Sequence, residues 1–125
     1  MRVFVAGTRG QLGRELMQAA WPAGTVLLGD DLPALDITDA SALEAAVRAA
    51  QPDLLVNAAA YTAVDKAETE AERAHAVNAT APGQLAALAR ALGVPLVHVS
   101  TDYVFDGAKD GAYVEDDAIG PLGVY

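Results

Sequence analysis

Residues 2–13 read RVFVAGTRGQLG: a short apolar run, then glycines at positions 7, 10 and 13. The run over residues 2–6 has the length, the branched side chains and the glycine boundary of a buried strand. Behind the glycines, Leu12, Leu16 and Ala20 recur four apart, the spacing of one helix face, and Trp21-Pro22 stops that helix. Gly7, Gly10 and Gly13 thus make a GxxGxxG turn between strand and helix. With glycine at about 7% of residues, the spacing alone arises by chance in roughly 4% of chains this long, so its placement carries the weight. In a strand–turn–helix, glycine permits a tight turn and a close approach of diphosphate, and the helix N-terminus faces the phosphates. Plain packing of strand against helix is the alternative use, and a dinucleotide is the expected ligand.

The alternation continues along the chain. Residues 25–28 (TVLL) read as a second strand. Asp39 is placed to cap a helix whose buried stripe is Ala40, Leu43, Val47 and Ala50, ended by Pro52. Residues 53–57 (DLLVN) read as a third strand, apolar in its middle as strands covered on both faces are. Residues 65–78 are charged and alanine-rich, which predicts a helix facing solvent. Ala81, Leu85, Leu88 and Leu92 form the next helical stripe, with Gly93 as C-cap and Pro95 barring continuation. Residues 95–100 (PLVHVS) are the fourth strand, and the glycine-rich remainder has no periodicity. Strands separated by helices imply right-handed crossovers and a parallel sheet covered on both faces.

The 125 residues suffice for one domain with a core, and 53% are apolar, which excludes a disordered chain. No cysteine is present, which excludes disulfides and thiolate chemistry. With 17 acidic against 8 basic residues, the net charge of -9 argues against a nucleic-acid partner. It does not exclude a phosphorylated small molecule held by backbone N–H groups. No apolar run reaches the length of a membrane span and the N-terminus lacks a signal-peptide shape, so no membrane partner and a cytoplasmic location are expected.

Ligands of such sheets sit at the C-terminal ends of the strands. All four ends carry reactive or small residues: 7–13, 29–36, 57–62 and 100–105. Asp30, some 20 residues past the glycine turn and beside Asp31, fits the acid that holds an adenine ribose and favours NAD. Arg9 would attract a 2′-phosphate, so NADPH and NADH both stay open. Asp36-Ile37 fits either the adenine edge or a plain loop. Alanines 58–60 suit a backbone passing close to a ligand or a small-residue packing layer. Hydroxyls of Ser100 and Thr101 suit a substrate carbonyl or a loop cap. His75 and His98 are isolated and read as structural, and Lys66 as a solvated face residue.

Taken in order and spacing, GxxGxxG, NAAAYTAVDKAE (57–68), STDYVFDG (100–107) and PLGVY (121–125) resemble the extended short-chain dehydrogenase/reductase family, over the whole chain. The resemblance implies an α/β fold of the Rossmann type, a doubly wound parallel sheet with helices on both faces, stopping before its last strands. It implies that residues 1–125 are an NAD(P)-binding domain without the substrate-binding domain. The family uses a hydroxyl residue, a tyrosine and a lysine four positions later. Carried over, Thr101 is the hydroxyl and Tyr125 the proton donor, with the lysine beyond the last residue given, so that these 125 residues alone are expected to be inactive. A free tyrosine titrates near about 10 and needs a nearby cation to work at neutral pH. Tyr103 is the rival, but Gly107 stands where its lysine would be, so Tyr103 is a cleft residue.

The chemistry implied is NAD(P)H-dependent reduction of the C4 ketone of a dTDP-linked 6-deoxy sugar. Gly10, Gln11 and Leu12 would cradle the diphosphate, Ala60, Tyr61 and Thr62 would line the cofactor cleft, and Thr101 and Asp102 would meet the sugar. Some members bind Mg²⁺ at a homodimer contact through a first-helix glutamate, and Glu15 matches that place. Neighbouring activities are a 4-epimerase or a 4,6-dehydratase, which retain NAD⁺. A non-catalytic relative, the regulatory β subunit of methionine adenosyltransferase, shares the plan, and a Rossmann-like domain without nucleotide is the blandest alternative.

Overall fold

Residues 1–125 are all described by a computed structural model, and its first strand, β1, spans Arg2–Ala6, the run named above. Helix α1 follows at Gln11–Gln18 and strand β2 at Val26–Asp30. Helix α2 spans Ala40–Ala50, and its start is fixed by Asp39, whose carboxylate accepts the N–H groups of Ser41 and Ala42. Strand β3 is Leu54–Asn57. Two short helices, α3 (Val64–Ala67) and α4 (Ala71–His75), lead into a π-helical turn at Ala76–Thr80 and then helix α5 at Ala81–Leu92. Gly93 closes α5 in the left-handed conformation (φ 69°), where glycine carries no Cβ penalty. Strand β4 is Leu96–His98, and a 3-10 turn at Asp102–Val104 is the last regular element.

All strand pairs are parallel, in the order β2-β1-β3-β4. Alternate residues of the central strands point to opposite faces. Phe4, Ala6 and Leu55 turn toward α2 and α5, meeting Leu43, Val47, Leu85 and Ala89 in the larger core. Val3, Val5 and Val56 turn the other way, toward Leu16, Met17 and Trp21 on and after α1. The sheet is therefore covered on both faces, as a doubly wound Rossmann-type sheet is. Full burial of side chains such as Leu43, Leu55 and Leu85 stabilises by about 1.5–3 kcal/mol each.

Several expected boundaries shift for local reasons. Ala20 lies beyond α1 and Ala40 is exposed at the first turn of α2, so neither belongs to a buried stripe. Strand β2 runs on to Asp30, because Ala6 pairs with it. Strand β4 is three residues long, and Val97 and Val99 are about half exposed at the open edge of the sheet. The single helix expected over residues 65–78 is broken. Both the N–H and the hydroxyl of Thr69 bond to the Lys66 carbonyl, closing a turn instead of continuing the helix.

Candidate active site

Strand order reverses between β1 and β3, and the crevice at the carboxyl ends of such a pair is where ligands bind. A cleft of about 960 Å³ opens there. The glycine turn is one wall. Gly7 adopts φ 87°, and a Cβ on it would stand 2.6 Å from the Ala59 nitrogen, so the turn lies directly on the chain leaving β3. A Cβ on Gly13 would stand 1.9 Å from the Gly7 carbonyl oxygen, so that glycine lets α1 close onto the turn. Gly10 precedes α1 without a side-chain cap, and the N–H groups of Gln11, Leu12 and Gly13 have no acceptor in the protein. An uncapped helix end beside Gly10, Gln11 and Leu12, all on the cleft wall, fits a diphosphate.

Past β2, the strand end differs from the sequence expectation. Asp30 pairs with Ala6 inside the strand, and its carboxylate accepts the Asp31 N–H. Asp31 is the acid on the cleft wall, its oxygens taken by the N–H groups of Arg9 (2.9 Å) and Leu32 (2.7 Å). With β2 running on to Asp30, Asp31 is the first residue past the strand end and the acid that meets the cleft. Asp36 and Ile37 both line the cleft. Hydrogen bonds from the Thr38 hydroxyl and then the Thr38 N–H hold the Asp36 carboxyl below the usual carboxylate range.

The third wall follows β3. Asn57 is buried, and its side chain bonds the Ala59 N–H and Nδ1 of His98, fixing the turn into alanines 58–60. Because the Asn57 amide nitrogen only donates, Nδ1 of His98 accepts, and the neutral ring carries its proton on Nε2. The alanines serve both readings at once: Ala59 packs on Gly7, and Ala58, Ala59 and Ala60 line the cleft. Tyr61 and Thr62 continue the wall. Asn78, in the π-helical turn, accepts the Tyr61 N–H at 2.8 Å and donates to the Tyr61 carbonyl at 2.9 Å. A π turn rotates one residue out of helical register, and here it aims Asn78 across 17 residues of sequence. The Tyr61 hydroxyl donates to Glu70, and desolvation followed by that bond pushes its phenol above the ordinary value. Arg73 stands 5.9 Å from the centre of the Tyr61 ring and also lines the cleft.

The fourth wall brings Thr101, Tyr103 and Tyr125 to the same cleft. Thr101 caps the 3-10 turn by accepting the Tyr103 N–H at 3.2 Å, and the rings of Tyr103 and Tyr125 meet edge to face at 5.4 Å. Asp102 lies off this cleft, in an adjoining cavity of about 600 Å³ that shares Tyr103 and Tyr125 with it. Gly13 lies behind the turn rather than on the cleft. Glu15 stands on the cleft wall, and no three His, Cys, Asp or Glu side chains of residues 1–125 gather into a set that could hold a metal ion, so these residues give Mg²⁺ no support. No helix is long and apolar enough to cross a membrane.

Arg73, Val77, Asn78, His98, Val99 and Pro121 complete the cleft and were not expected there. Asn78 had one faint signal, a lone amide in an alanine-rich helix, and His98, the last residue of β4, was read from the sequence as structural.

Known proteins align with this arrangement from end to end. Residues 1–125 match the family described as RmlD substrate binding domain. The dTDP-4-dehydrorhamnose reductase of Sinorhizobium fredii is 48% identical over 126 residues, covering 100% of this chain and 42% of that relative. The crystal structure of a dTDP-4-dehydrorhamnose reductase from Clostridium acetobutylicum superposes with a TM-score of 0.94 at 37% identity, over 100% of this chain and 45% of that one. The Bacillus anthracis dTDP-4-dehydrorhamnose reductase, solved in complex with NADP, gives 0.94 at 35% identity, over 99% of this chain and 45% of its own. The chain thus spans less than half the length of these relatives. With glycine turn, strand order and the Thr101–Tyr125 wall all in one matched span, the chain belongs to the RmlD substrate binding domain family.

Proposed function

We propose that residues 1–125 are the NAD(P)-binding part of a reductase that converts dTDP-4-dehydro-L-rhamnose to dTDP-L-rhamnose. One observation carries this reading: a single cleft has the uncapped end of α1 on one wall and Thr101 with Tyr125 on another. The first suits a dinucleotide diphosphate and the second a carbonyl to be reduced. When bound, a reduced nicotinamide supplies hydride to the C4 carbon and leaves oxidised.

The chain's own groups do the rest. N–H groups of Gln11 and Leu12 hold the diphosphate through charge-assisted hydrogen bonds. Ala58 and Ala59 keep side-chain bulk away from the cofactor, and Asn78 holds Tyr61 and so the wall behind it. The Tyr125 hydroxyl gives its proton to the C4 oxygen as the carbonyl becomes an alcohol. The Thr101 hydroxyl donates to that oxygen and orients it, while Asp102 faces the sugar from the adjoining cavity. At the adenosine end the Asp31 carboxylate is occupied by backbone N–H groups, and the Arg9 guanidinium forms no ion pair, an arrangement that supports use of both NADH and NADPH.

The test uses the complete polypeptide with dTDP-4-dehydro-L-rhamnose and NADPH or NADH, followed by loss of absorbance at the reduced nicotinamide band. Stoichiometric oxidation with either cofactor is expected, abolished by Tyr125→Phe and lowered by Thr101→Val. Tightly retained NAD⁺ and no net cofactor consumption would instead indicate epimerase or dehydratase chemistry and refute the proposal.

A further inference from the structure

Residues 106–125 form no helix or strand, and only two hydrogen bonds reach from them to the rest of the protein. The Gly120 N–H donates to the Val104 carbonyl at 2.9 Å, and the Val124 N–H donates to Oε1 of Glu68 at 2.9 Å. The second bond spans 56 residues and lies next to Tyr125. Glu68 follows α3, whose Ala67 is fully buried, and the Glu70 N–H returns to Lys66 just beyond it, so the backbone beneath the carboxylate is anchored. A Cβ on Gly123 would stand 3.0 Å from that same Oε1, tighter than nine in ten such contacts, so glycine there leaves the carboxylate room to approach Val124. The ring of Tyr125 is then steadied by Tyr103 at 5.4 Å.

We infer that Glu68 is a positioning residue for Tyr125: by accepting the Val124 N–H it sets where the phenol stands in the cleft. The inference rests on the reading of Tyr125 as proton donor. Glu68 does this as a hydrogen-bond acceptor, not as a charge, and it acts through the backbone without touching the reacting atoms. Without that bond the backbone just before Tyr125 is no longer fixed to Glu68, and a misplacement of the phenol by about 1 Å costs on the order of a hundredfold in rate.

Two measurements on the complete polypeptide test it, with Glu68→Ala, Glu68→Gln and Gly123→Ala variants. Turnover of the dTDP-4-keto sugar should fall tenfold to a hundredfold in Glu68→Ala, with KM for cofactor and sugar within about twofold. Glu68→Gln keeps an acceptor oxygen and should restore most of the lost rate, whereas Gly123→Ala, whose Cβ meets only the movable end of the Glu68 side chain, should lose less than Glu68→Ala. Hydrogen exchange of the Val124 amide should be slow in the parent and in Glu68→Gln and fast in Glu68→Ala. Unchanged kcat in Glu68→Ala, equal losses in Ala and Gln variants, a loss confined to the sugar KM, or a Val124 amide indifferent to residue 68 would each overturn the inference. A parent protein that shows the exchange pattern but no reduction would refute the proposed activity and, with it, the catalytic purpose of the tether.

Discussion

One substitution made at two glycines should have opposite effects. Gly83, in the first turn of α5, has no atom within 4 Å of where a Cβ would stand. Alanine there relieves the entropic penalty of glycine in a helix and should stabilise by about 0.5–1 kcal/mol. Gly13 also lies in a helix, so alanine brings about the same intrinsic gain. Its Cβ, however, would stand 1.9 Å from the Gly7 oxygen, 2.8 Å from the Gly7 carbon and 2.9 Å from the Thr8 Cα. All three are backbone atoms, and Gly7 is itself pressed on Ala59 and cannot retreat. Opening the contact to about 3 Å requires a shift of about 1 Å between α1 and the turn. Overpacking of this kind costs about 1–3 kcal/mol and more where the neighbours are fixed. The clash therefore outweighs the helix gain, and a net loss of about 2 kcal/mol is expected. The same displacement turns the Gln11 and Leu12 N–H groups away from where they are proposed to meet a diphosphate. Each charge-assisted bond is worth about 1.5–3 kcal/mol, so cofactor affinity should fall at least tenfold. Urea unfolding reads the first effect, and titration of NADPH against protein fluorescence reads the second. Gly13→Ala protein as stable as the parent, with cofactor affinity within twofold, would refute the packing of α1 onto the turn.

Asn78→Ala removes both bonds to the Tyr61 backbone, and should cost about 1–3 kcal/mol in urea unfolding and weaken NADPH binding, with Asn78→Asp intermediate because it keeps one acceptor. Asp39→Ala exposes the N–H groups of Ser41 and Ala42 at the start of α2, and should lower the urea midpoint by the equivalent of about 1 kcal/mol without changing the slope. The Asp36 carboxyl is depressed in the folded chain, so its contribution is present above the unfolded value near about 3.9 and is lost as pH falls through the lower folded value. Carboxyl NMR should show Asp36 titrating below the ordinary aspartate value, and Thr38→Val should move it part of the way back, since it removes the hydroxyl bond, the larger stabiliser of the charged form, and keeps the N–H bond.

What the sequence showed, and what it hid, divides by the range of the cause. The turn at Gly7 and Gly13 was legible because its demands are mostly local: Gly7 needs a positive φ, and a Cβ on Gly13 would meet the Gly7 carbonyl six residues back. Asp39 and Gly93 were legible as helix caps for the same reason: each acts within three or four residues. Asp31 was displaced from expectation by one residue because β2 continues as far as its neighbour β1 pairs with it, a decision made in the sheet. Thr69 breaks the expected helix through a bond to Lys66 that competes with helical pairing, a local signal that charge and alanine content concealed. Asn78 and Glu68 were the least legible. Each acts on a backbone amide far off in sequence, Tyr61 and Val124 respectively, and no spacing rule connects such pairs.

The acidity of the chain bears on how the cleft can hold an anion. A net charge of -9 repels a dinucleotide at long range, but at physiological salt that repulsion is screened beyond about 8 Å. Within that distance the acids are unevenly placed. Asp31 and Asp36 lie toward the β2 side, with their oxygens engaged by Arg9, Leu32 and Thr38, while α1 opens on free N–H groups, with Glu15 one turn further along it. Short-range donors on a turn closed by Gly7 and Gly13 thus take the place of a basic cluster. Affinity built this way depends on the position of the backbone to within about an ångström. On the proposed reading that dependence gives a use to the alanines of the third wall and to the two-point hold of Asn78 on Tyr61: with Arg73 the one cationic side chain on the cleft wall, the walls must keep the amides aimed.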